Sequence, residues 1–371
     1  MDNTQKQRLK EISLVALKLG CFGFGGIAGM VGLIENEMVT KRKWISRSQY
    51  LDVVGAANVI PGPNSVEIIM HCSRVRAGKA GLVLGGLCYI LPAVIICLFW
   101  ASLYTRFNHL PSVQPFIYGI RPATTAIVLG ALFRLSKDAF KSRLIILLSL
   151  LVLAGSLYGM NEVVLLFSAG IIGTLYLSRS KLYSLMPLPF IIAHKPTTIS
   201  NPKLFFIFLK IGAILYGSGY ILFAYLDDAL VQRNHWLTKQ QLIDAISVGQ
   251  ITPGPIFSSA TFAGYLVSGI SGALLATVGI FLPSFFIAFF LHRLLHLVEK
   301  HQAIRNFLDI INGASVALIA AVAIHMLSDS ITQWQSVVIL VITLAATLVR
   351  KINVAWLVIF GSVAGYLLAI V

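Results

Sequence analysis

Apolar stretches separated by short polar loops run along the whole chain. A helix needs about 20 apolar residues to cross the hydrocarbon core of a bilayer, so stretches near this length predict membrane segments. The first series lies at residues 12–34, 50–72, 80–104, 113–133, 144–158 and 161–178. After a polar connector at 179–203, a second series lies at 204–226, 242–265, 273–291, 306–327, 335–349 and 353–371. The pattern predicts an all-α polytopic membrane protein.

Two of these segments contain a Pro-Gly-Pro sequence, at Pro61–Pro63 and at Pro253–Pro255. Proline lacks a backbone donor and glycine is a poor helix former, so the helix breaks there, and a new helix starts after the second proline. A helix that starts at membrane depth presents unpaired N–H groups and the positive end of its dipole. Each break is therefore a candidate anion site.

The second series repeats the first. Matching residues lie 192 positions apart, and one gap reduces the offset to 191 in the middle of the repeat. The matches are mostly glycine, proline, tryptophan and charged residues, among them Lys18 with Lys210, Trp44 with Trp236, Asp52 with Asp244 and Pro92 with Pro283. We therefore expect two homologous units, residues 1–178 and 204–371, joined by a cytoplasmic connector at 179–203.

The basic residues indicate how the two units are oriented. Loops 36–49, 73–79 and 134–143 carry four, three and four Lys or Arg residues. Loops 266–272 and 328–334, which are equivalent to the second and third of these, carry none. Applied to each unit separately, the positive-inside rule orients them upside down to each other. Such an inverted repeat needs an odd number of crossings per unit, which predicts five crossing helices plus a re-entrant Pro-Gly-Pro hairpin. The two hairpins then form one central site, as alternating access requires.

The composition agrees with this class. Of the 371 residues, 57% are hydrophobic and only 12% are charged, and the mean hydropathy is +0.84. The net charge of +15 lies mainly in short loops, which the positive-inside rule explains, so nucleic-acid binding is excluded. The sequence contains no GxSxG, HExxH or Walker motif, and its cysteines lack metal-ligand spacing. We expect no enzyme activity, no cofactor and no metal site.

Candidate substrate-binding residues follow from the helix breaks. The glycine-rich segment 12–34 is either a closely packed helix or a second broken helix that faces a tip, and the Gly217-Ser218-Gly219 sequence favours the second alternative. Residues that flank the breaks carry amide or hydroxyl groups, or expose backbone N–H groups to an anion. The candidates are Gly25, Gly26, Asn58, Gly62, Asn64, Ser65, Gly217, Ser218, Gln250, Gly254 and Ser258.

Basic residues near apolar runs form a second group of substrate-binding candidates. Lys18 and Lys210 occupy matched positions, and each is interpreted either as a counter-charge for a bound anion or as a side chain that extends to the membrane surface. Arg121 is replaced by Asn312 in the second unit. It is either an asymmetric part of the anion site or an anchor at a helix end.

Acidic residues and a histidine are candidates for coupling. Glu67 follows the first tip, and Ser259 takes its place in the second unit. Glu67 is interpreted either as the partner of a neighbouring Arg or Lys or as a proton-carrying carboxylate. His71, one turn later, is either part of a proton relay or an interface residue. Asp52 and Asp244 are expected to be helix-start charges or caps.

Several motifs resemble the chromate ion transporter family in its two-domain form. They are LKLGCFGFGG, IENEMV, RKWIS and VIPGPNS in the first unit, and KIGAILYGSGY, HWLT, ITPGPIFSSATFAGY and GIFLPSF in the second. The resemblance implies a multi-pass protein of the inner (cytoplasmic) membrane. It also implies a secondary active transporter, or antiporter, that exports chromate, a sulfate-like tetrahedral oxyanion, at the expense of the membrane potential or a proton gradient.

Alternatives to this function stay open on the residues alone. The substrate is chromate, sulfate or another inorganic or organic anion, and the protein is a coupled transporter or a passive anion channel. A further alternative is an intramembrane enzyme that acts on lipid phosphates. The sequence shows no nucleophile with an adjacent base, which argues against it. The expected partners are the oxyanion, protons as a candidate coupling ion, and the lipid bilayer, with a homodimer as an open alternative.

Overall fold

The computed structural model describes residues 3–23, 26–57, 60–108, 110, 114–177, 200–216, 219–331, 333–349 and 352–370. Within these ranges the chain is helical, without a strand. Two π-helical turns, Glu35–Lys41 and Asp227–Arg233, and a 3₁₀ turn, Ile256–Ser258, lie between helices. Most of the predicted connector at 179–203 lies outside the described residues. The helices in chain order are α1 Asn3–Phe22, α2 Gly26–Ile34, α3 Arg47–Ala57, α4 Asn64–Phe107, α5 Gln114–Ala139, α6 Arg143–Leu157, α7 Glu162–Leu177, α8 Asn201–Ile214, α9 Ile221–Leu226, α10 Lys239–Ile251, α11 Ser259–Lys300, α12 Gln302–Ser330, α13 Trp334–Val349 and α14 Val354–Ile370.

Four of the described helical stretches are long and apolar enough to cross a membrane: Asn64–Phe107, Gln114–Ala139, Ile256–Phe290 and Gln302–Ser330. Shorter apolar helices follow in each series, namely α6, α7, α13 and α14. Large apolar side chains at helical spacing on α4, Leu91, Ile95 and Phe99, are exposed, as expected of a face that contacts lipid. The prediction of an all-α polytopic membrane protein is confirmed at this level.

The helices α4 and α11 each contain a sharp reversal. Backbone angles are non-helical at Ala77–Gly78 and at Ser268–Gly269, where the glycines have φ of 65° and 59°. The hydroxyls of Thr261 and Thr277 are hydrogen-bonded at 2.7 Å. In a straight helix these residues would be about 24 Å apart. Each long helix is therefore two limbs that fold back on each other, which glycine permits because it tolerates positive φ.

The same backbone irregularities occur in both halves of the chain. The two π turns lie 192 residues apart, and so do the left-handed residues Lys43 and His235, with φ of 51° and 52°. Gly62 and Gly254 also have positive φ, of 136° and 94°. The register of the sequence repeat therefore pairs segments that have the same local conformation.

The two halves interlock. Helix α5 of the first half packs against α13 and α14 of the second, and α12 of the second half packs against α6 and α7 of the first. At the centre α4 packs against α11, and each is covered by the first helix of its own half, α1 or α8. This arrangement brings the two Pro-Gly-Pro segments into the same central region.

Observed helix bounds differ from the predicted segments in two respects. Helix α1 begins at Asn3 rather than at residue 12, because polar residues continue the helix and Glu11 is held there by Arg76 at 3.0 Å. The predicted segments 12–34 and 204–226 are each interrupted, between α1 and α2 and between α8 and α9. Of the two alternatives for the glycine-rich segment 12–34, the structure shows the broken helix.

Candidate functional site

Both Pro-Gly-Pro tips line one cavity of about 90 Å³. A buried site for one water needs only about 10–15 Å³, so this volume accommodates a small ion with water. The first half contributes Gly23, Met30 and residues 62–65, and the second half contributes residues 254–257. The lining is completed by Gly219, Tyr220, Gly249, Gln250, Thr252 and Val354.

Each tip is hydrogen-bonded to the interrupted helix of the other half. The N–H of Gly62 donates to the carbonyl of Leu215 at 2.9 Å, and the N–H of Gly254 donates to the carbonyl of Gly23 at 3.0 Å. These carbonyls lie just past the ends of α8 and α1, where a helix leaves C=O groups without intrahelical donors. The breaks in α1 and α8 therefore supply the acceptors that hold the tips in place.

Glycine is required at both tips. Their positive φ values fall in a region that L side chains rarely adopt. A Cβ on Gly254 would lie 3.1 Å from Cβ of Ala93, and a Cβ on Gly62 would overlap Oε1 of Glu67. Both conformation and space therefore exclude larger residues.

Hydrogen-bond donors face the cavity. Helix α4 begins at Asn64 directly after Pro63, whose side chain does not cap the first turn. Gln250 is only 9% exposed, and its amide nitrogen has no hydrogen-bond partner among the described residues. A buried donor left unpaired costs about 1–3 kcal/mol. Gln250 Nε2 is thus placed to donate to an acceptor that enters the cavity.

The two tips differ in polarity. Asn64 and Ser65 follow the first tip, whereas Ile256 and Phe257 follow the second, and all four residues line the cavity. The residues that follow the first tip are therefore polar, and those that follow the second tip are apolar. None of the described residues that line it is Lys or Arg. The positive potential available to an anion there comes from the start of α4 and from neutral donors.

The structure brings together some of the predicted substrate-binding residues. Those that line the cavity are Gly62, Asn64, Ser65, Gln250 and Gly254. Ser258 is fully buried beyond the second tip and is not among the lining residues, and Gly26 is the first residue of α2. The candidates outside the described residues are Gly25, Asn58, Gly217 and Ser218.

Eleven lining residues were not among the predicted candidates, and Met30, Tyr220, Thr252 and Val354 are four of these. Tyr220 and Thr252 adjoin the Gly-Ser-Gly motif and the second tip, so distance along the chain was a usable signal for both. Met30 and Val354 come from α2 and α14. No local sequence feature marks them, because their position depends on how the helices pack.

Lys18 does not face the cavity. Its Nζ donates to Oε1 of Glu37 at 2.9 Å, Lys41 donates to the same oxygen at 3.0 Å, and Arg42 pairs with the other oxygen. The hydrogen bond from Lys18, with the help of Lys41 and Arg42, lowers the pKa of Glu37 to about 2 against the opposing effect of burial. The charge of Lys18 is thus balanced by Glu37. Its match Lys210 is exposed on α8 and does not line the cavity.

Arg121 forms a bidentate ion pair with Asp244, and both N–O distances are 3.0 Å. The hydroxyl of Tyr104 donates to the same carboxylate at 2.8 Å. Arg121 is therefore neither an anchor at a helix end nor part of the cavity lining. The prediction that Asp244 is a helix-start residue is wrong, because it lies inside α10, whose N-cap is Thr238. Asp52 likewise lies inside α3.

Glu67 is fully buried, and neither carboxyl oxygen has a hydrogen-bond partner among the described residues. Of the two interpretations of Glu67, the ion pair with a neighbouring Arg or Lys does not form in the described structure. Arg74 donates instead to the carbonyl of Phe289 at 2.9 Å. Arg76 donates to Glu11 at 3.0 Å. These arginines turn away because each reaches a partner on another helix.

Glu67 lies directly behind the first tip. Its Oε1 and the hydroxyl of Ser284 both approach the position that a Cβ on Gly62 would occupy. The Ser284 hydroxyl is also buried without a hydrogen-bond partner in the described structure. His71 lies one turn further along α4 and is half-buried. The first tip is thus backed by an unpaired acid, which the second tip lacks.

Comparison with known proteins matches the family described as Chromate transporter to residues 10–174 and 202–366. A chromate transport protein of Cupriavidus metallidurans is 28% identical over 92% of this chain and 88% of its own length. A probable chromate transport protein of Synechococcus elongatus is 29% identical, over 85% and 83%. A chromate transport protein of Pseudomonas aeruginosa is 24% identical, over 95% and 90%. No solved structure matches the chain. Because the family match covers most of both halves, the chain belongs to the chromate transporter family.

Proposed function

We propose that this protein transports a tetrahedral inorganic oxyanion, chromate or sulfate, through the cavity between the two Pro-Gly-Pro tips. The observation that carries the proposal is that helix breaks from opposite halves meet at one cavity with an unpaired donor. Transporters built from repeats commonly bind their substrate at such a junction of broken helices. The names of the relatives in Cupriavidus metallidurans and Pseudomonas aeruginosa favour chromate as the first substrate to test.

In this proposal neutral donors recognise the anion. The first-turn N–H groups of α4 at Asn64 and Ser65, the Gln250 amide and the Tyr220 side chain are the donors that line the cavity. Hydrogen bonds to a charged group contribute about 1.5–3 kcal/mol each, so a few of them bind an oxyanion without a fixed cation. Binding of this strength is compatible with release on the other side. Lys18, Lys210 and Arg121 are left out of the proposed site.

The proposed mechanism is alternating access between two inverted halves. We assign residues 1–178 and 204–371 to the halves, 179–203 to a cytoplasmic connector, and five crossings plus one re-entrant hairpin to each half. The opposite distribution of basic loops and the crossed hydrogen bonds between tips and broken helices support this arrangement. Export across the inner membrane is the proposed direction.

Coupling to protons is assigned to Glu67, with His71 as the relay. A carboxylate charge that is buried without a partner costs several kcal/mol, so Glu67 is proposed to hold a proton in the present conformation. Because Glu67 lies against Gly62 at the edge of the cavity, a negative charge on it would also repel the anion. Proton occupancy and anion occupancy are therefore linked in the proposed cycle.

Transport by purified protein in liposomes tests the function. Uptake of chromate and of sulfate should saturate, and each should inhibit the uptake of the other. Preloaded unlabelled sulfate should accelerate the uptake of labelled sulfate, because a carrier exchanges its substrate and a channel does not. If neither oxyanion binds or moves, the substrate assignment fails. Conductance without saturation or exchange would identify an anion channel instead.

Gln250→Leu tests the site. Loss of one hydrogen bond to a charged group should raise KM for the oxyanion about tenfold or more. Gln302→Leu is the matched control, because Gln302 is exposed at the start of α12 and does not line the cavity. An unchanged KM in Gln250→Leu would remove this side chain from the site.

A further inference from the structure

The Arg121–Asp244 pair joins the two halves through α10, less than two turns before Gln250. The side chains of Arg121 and Asp244 are only 17% and 5% exposed, and they lie on α5 and α10. One turn further, the hydroxyls of Thr124 and Ser247 are hydrogen-bonded at 2.7 Å between the same helices. One partly buried ion pair and one buried hydrogen bond thus fasten α10 to α5. We call this set of four residues the clamp.

The clamp acts on the helix that leads to the second tip. Helix α10 ends at Ile251, directly before Thr252 and the Pro-Gly-Pro segment. It carries Gly249 and Gln250, which line the cavity. Moving α10 away from α5 would therefore move one wall of the cavity. The clamp holds that wall in its present position.

The equivalent positions of the other half lack the clamp. In the repeat register, Asn312 occupies the position equivalent to Arg121, and Gly55 occupies the position equivalent to Ser247. Asp52 is equivalent to Asp244. Asp52 and Gly55 are exposed, and a Cβ on Gly55 would meet no atom within 4 Å. Helix α10 packs against α5, whereas the described residues of α3 and α12 make isolated contacts at most. In the part of the chain that the structure describes, α10 is fastened to α5, whereas α3 is not fastened to α12.

We infer that Arg121 and Asp244 are positioning residues that keep the α10 side of the cavity closed and bias the transporter toward the present conformation. The opposite conformation, in which α3 packs against α12, gains no equivalent ion pair because Asn312 has no charge. This inference rests on the alternating access of the proposed function. It adds that the two access states of this chain are held by unequal contacts.

Thiol labelling tests the inference without transport. In a background with the four native cysteines replaced by alanine, Val128→Cys reports on the clamped interface, and Gly55→Cys reports on the open one. Val128 is fully buried one turn beyond Thr124 on α5, so its thiol should react slowly with a membrane-impermeant reagent. Gly55→Cys should react fast. Size-exclusion chromatography of every variant identifies those that fold.

Removal of the clamp should open the interface. Arg121→Gln should increase the labelling rate of Val128→Cys about tenfold or more. Removing Arg121 leaves the carboxylate of Asp244 uncompensated, which disfavours the packed state by at least that factor. The exchanged pair, Arg121→Asp with Asp244→Arg, should restore slow labelling. Lys141→Gln is the matched control, because Lys141 forms an exposed ion pair with Asp309 at 2.7 Å. It should leave the labelling rate unchanged.

A new clamp should close the other side. Asn312→Arg gives Asp52 a partner in the opposite conformation, so labelling of Gly55→Cys should fall and labelling of Val128→Cys should rise, each about tenfold. Unchanged labelling in both Arg121→Gln and Asn312→Arg would overturn the inference. If the labelling changes as expected while neither sulfate nor chromate moves, the clamp stands and the proposed substrate fails. If both anions exchange but the labelling does not change, the proposed substrate stands and the clamp fails.

Discussion

Replacing Glu67 with leucine should stabilise the folded protein and remove its proposed proton coupling. Glu67 is 0% exposed, and both of its oxygens lack partners in the described structure. An unpaired buried polar group costs about 1–3 kcal/mol even when it is neutral. Leucine has a similar volume and needs no partner. The free energy of unfolding should therefore increase by about 1–3 kcal/mol.

Thermal unfolding in detergent, followed by tryptophan fluorescence, measures the stability of the variant. Glu37→Leu is the informative control, because Glu37 is also buried but is paired with Lys18, Lys41 and Arg42. Removing one partner from such a group leaves its cations uncompensated, so the midpoint should fall. The two leucine variants should thus shift the midpoint in opposite directions.

Anion flux in liposomes with an imposed pH difference measures the coupling. Glu67→Leu should exchange sulfate at equilibrium but should not accumulate it in response to the pH difference. A lower unfolding midpoint than that of the parent would show that the carboxyl has a stabilising partner, which would refute the burial argument. A retained response to the pH difference would exclude Glu67 as the proton-carrying group.

Three further predictions follow from the geometry. Gly254→Ala should abolish uptake, because its φ of 94° is unfavourable and its Cβ would lie 3.1 Å from Ala93, whereas Gly32→Ala in open space should retain uptake. Gly269→Ala, at φ 59° with no atom near its Cβ, should cost about 1–3 kcal/mol of unfolding free energy through backbone strain alone. Glu37→Gln should lower the unfolding free energy at pH 7 by about 1–2 kcal/mol, because solvent around the exposed Lys18 and Lys41 side chains screens part of the attraction. Because the pKa of Glu37 is about 2 in the folded protein and its ordinary value is 4.5, this difference should disappear as the pH falls from about 4.5 to 2. Denaturant titrations at several pH values would measure it.

Local backbone chemistry made the tips predictable. Proline and glycine act on their own residue and its neighbours, so Pro61–Pro63 and Pro253–Pro255 specify a break wherever the chain is placed. The repeated register then pairs the two breaks. Five predicted residues that line the cavity lie within a few positions of these sequences.

Partners of charged side chains were not predictable in the same way. Lys18 meets Glu37 across the break between α1 and α2, and Arg121 meets Asp244 from the other half of the chain. These contacts depend on which helices cross, and spacing along the sequence does not encode that. Glu67 is the opposite case. Arg74 and Arg76 lie near it in the sequence, but each of them binds a partner on another helix.

The two halves differ where the proposed cycle needs direction. Both supply the same backbone feature, a tip held by a broken helix of the other half. This symmetry is what the proposed alternating access requires. Side chains around it are unequal: Glu67 matches Ser259, and Arg121 matches Asn312. A strictly symmetric carrier would have equal states and no preferred resting side. In the proposed mechanism the acid behind one tip links anion binding to protons. The ion pair on the helix that leads to the other tip sets which state is favoured at rest.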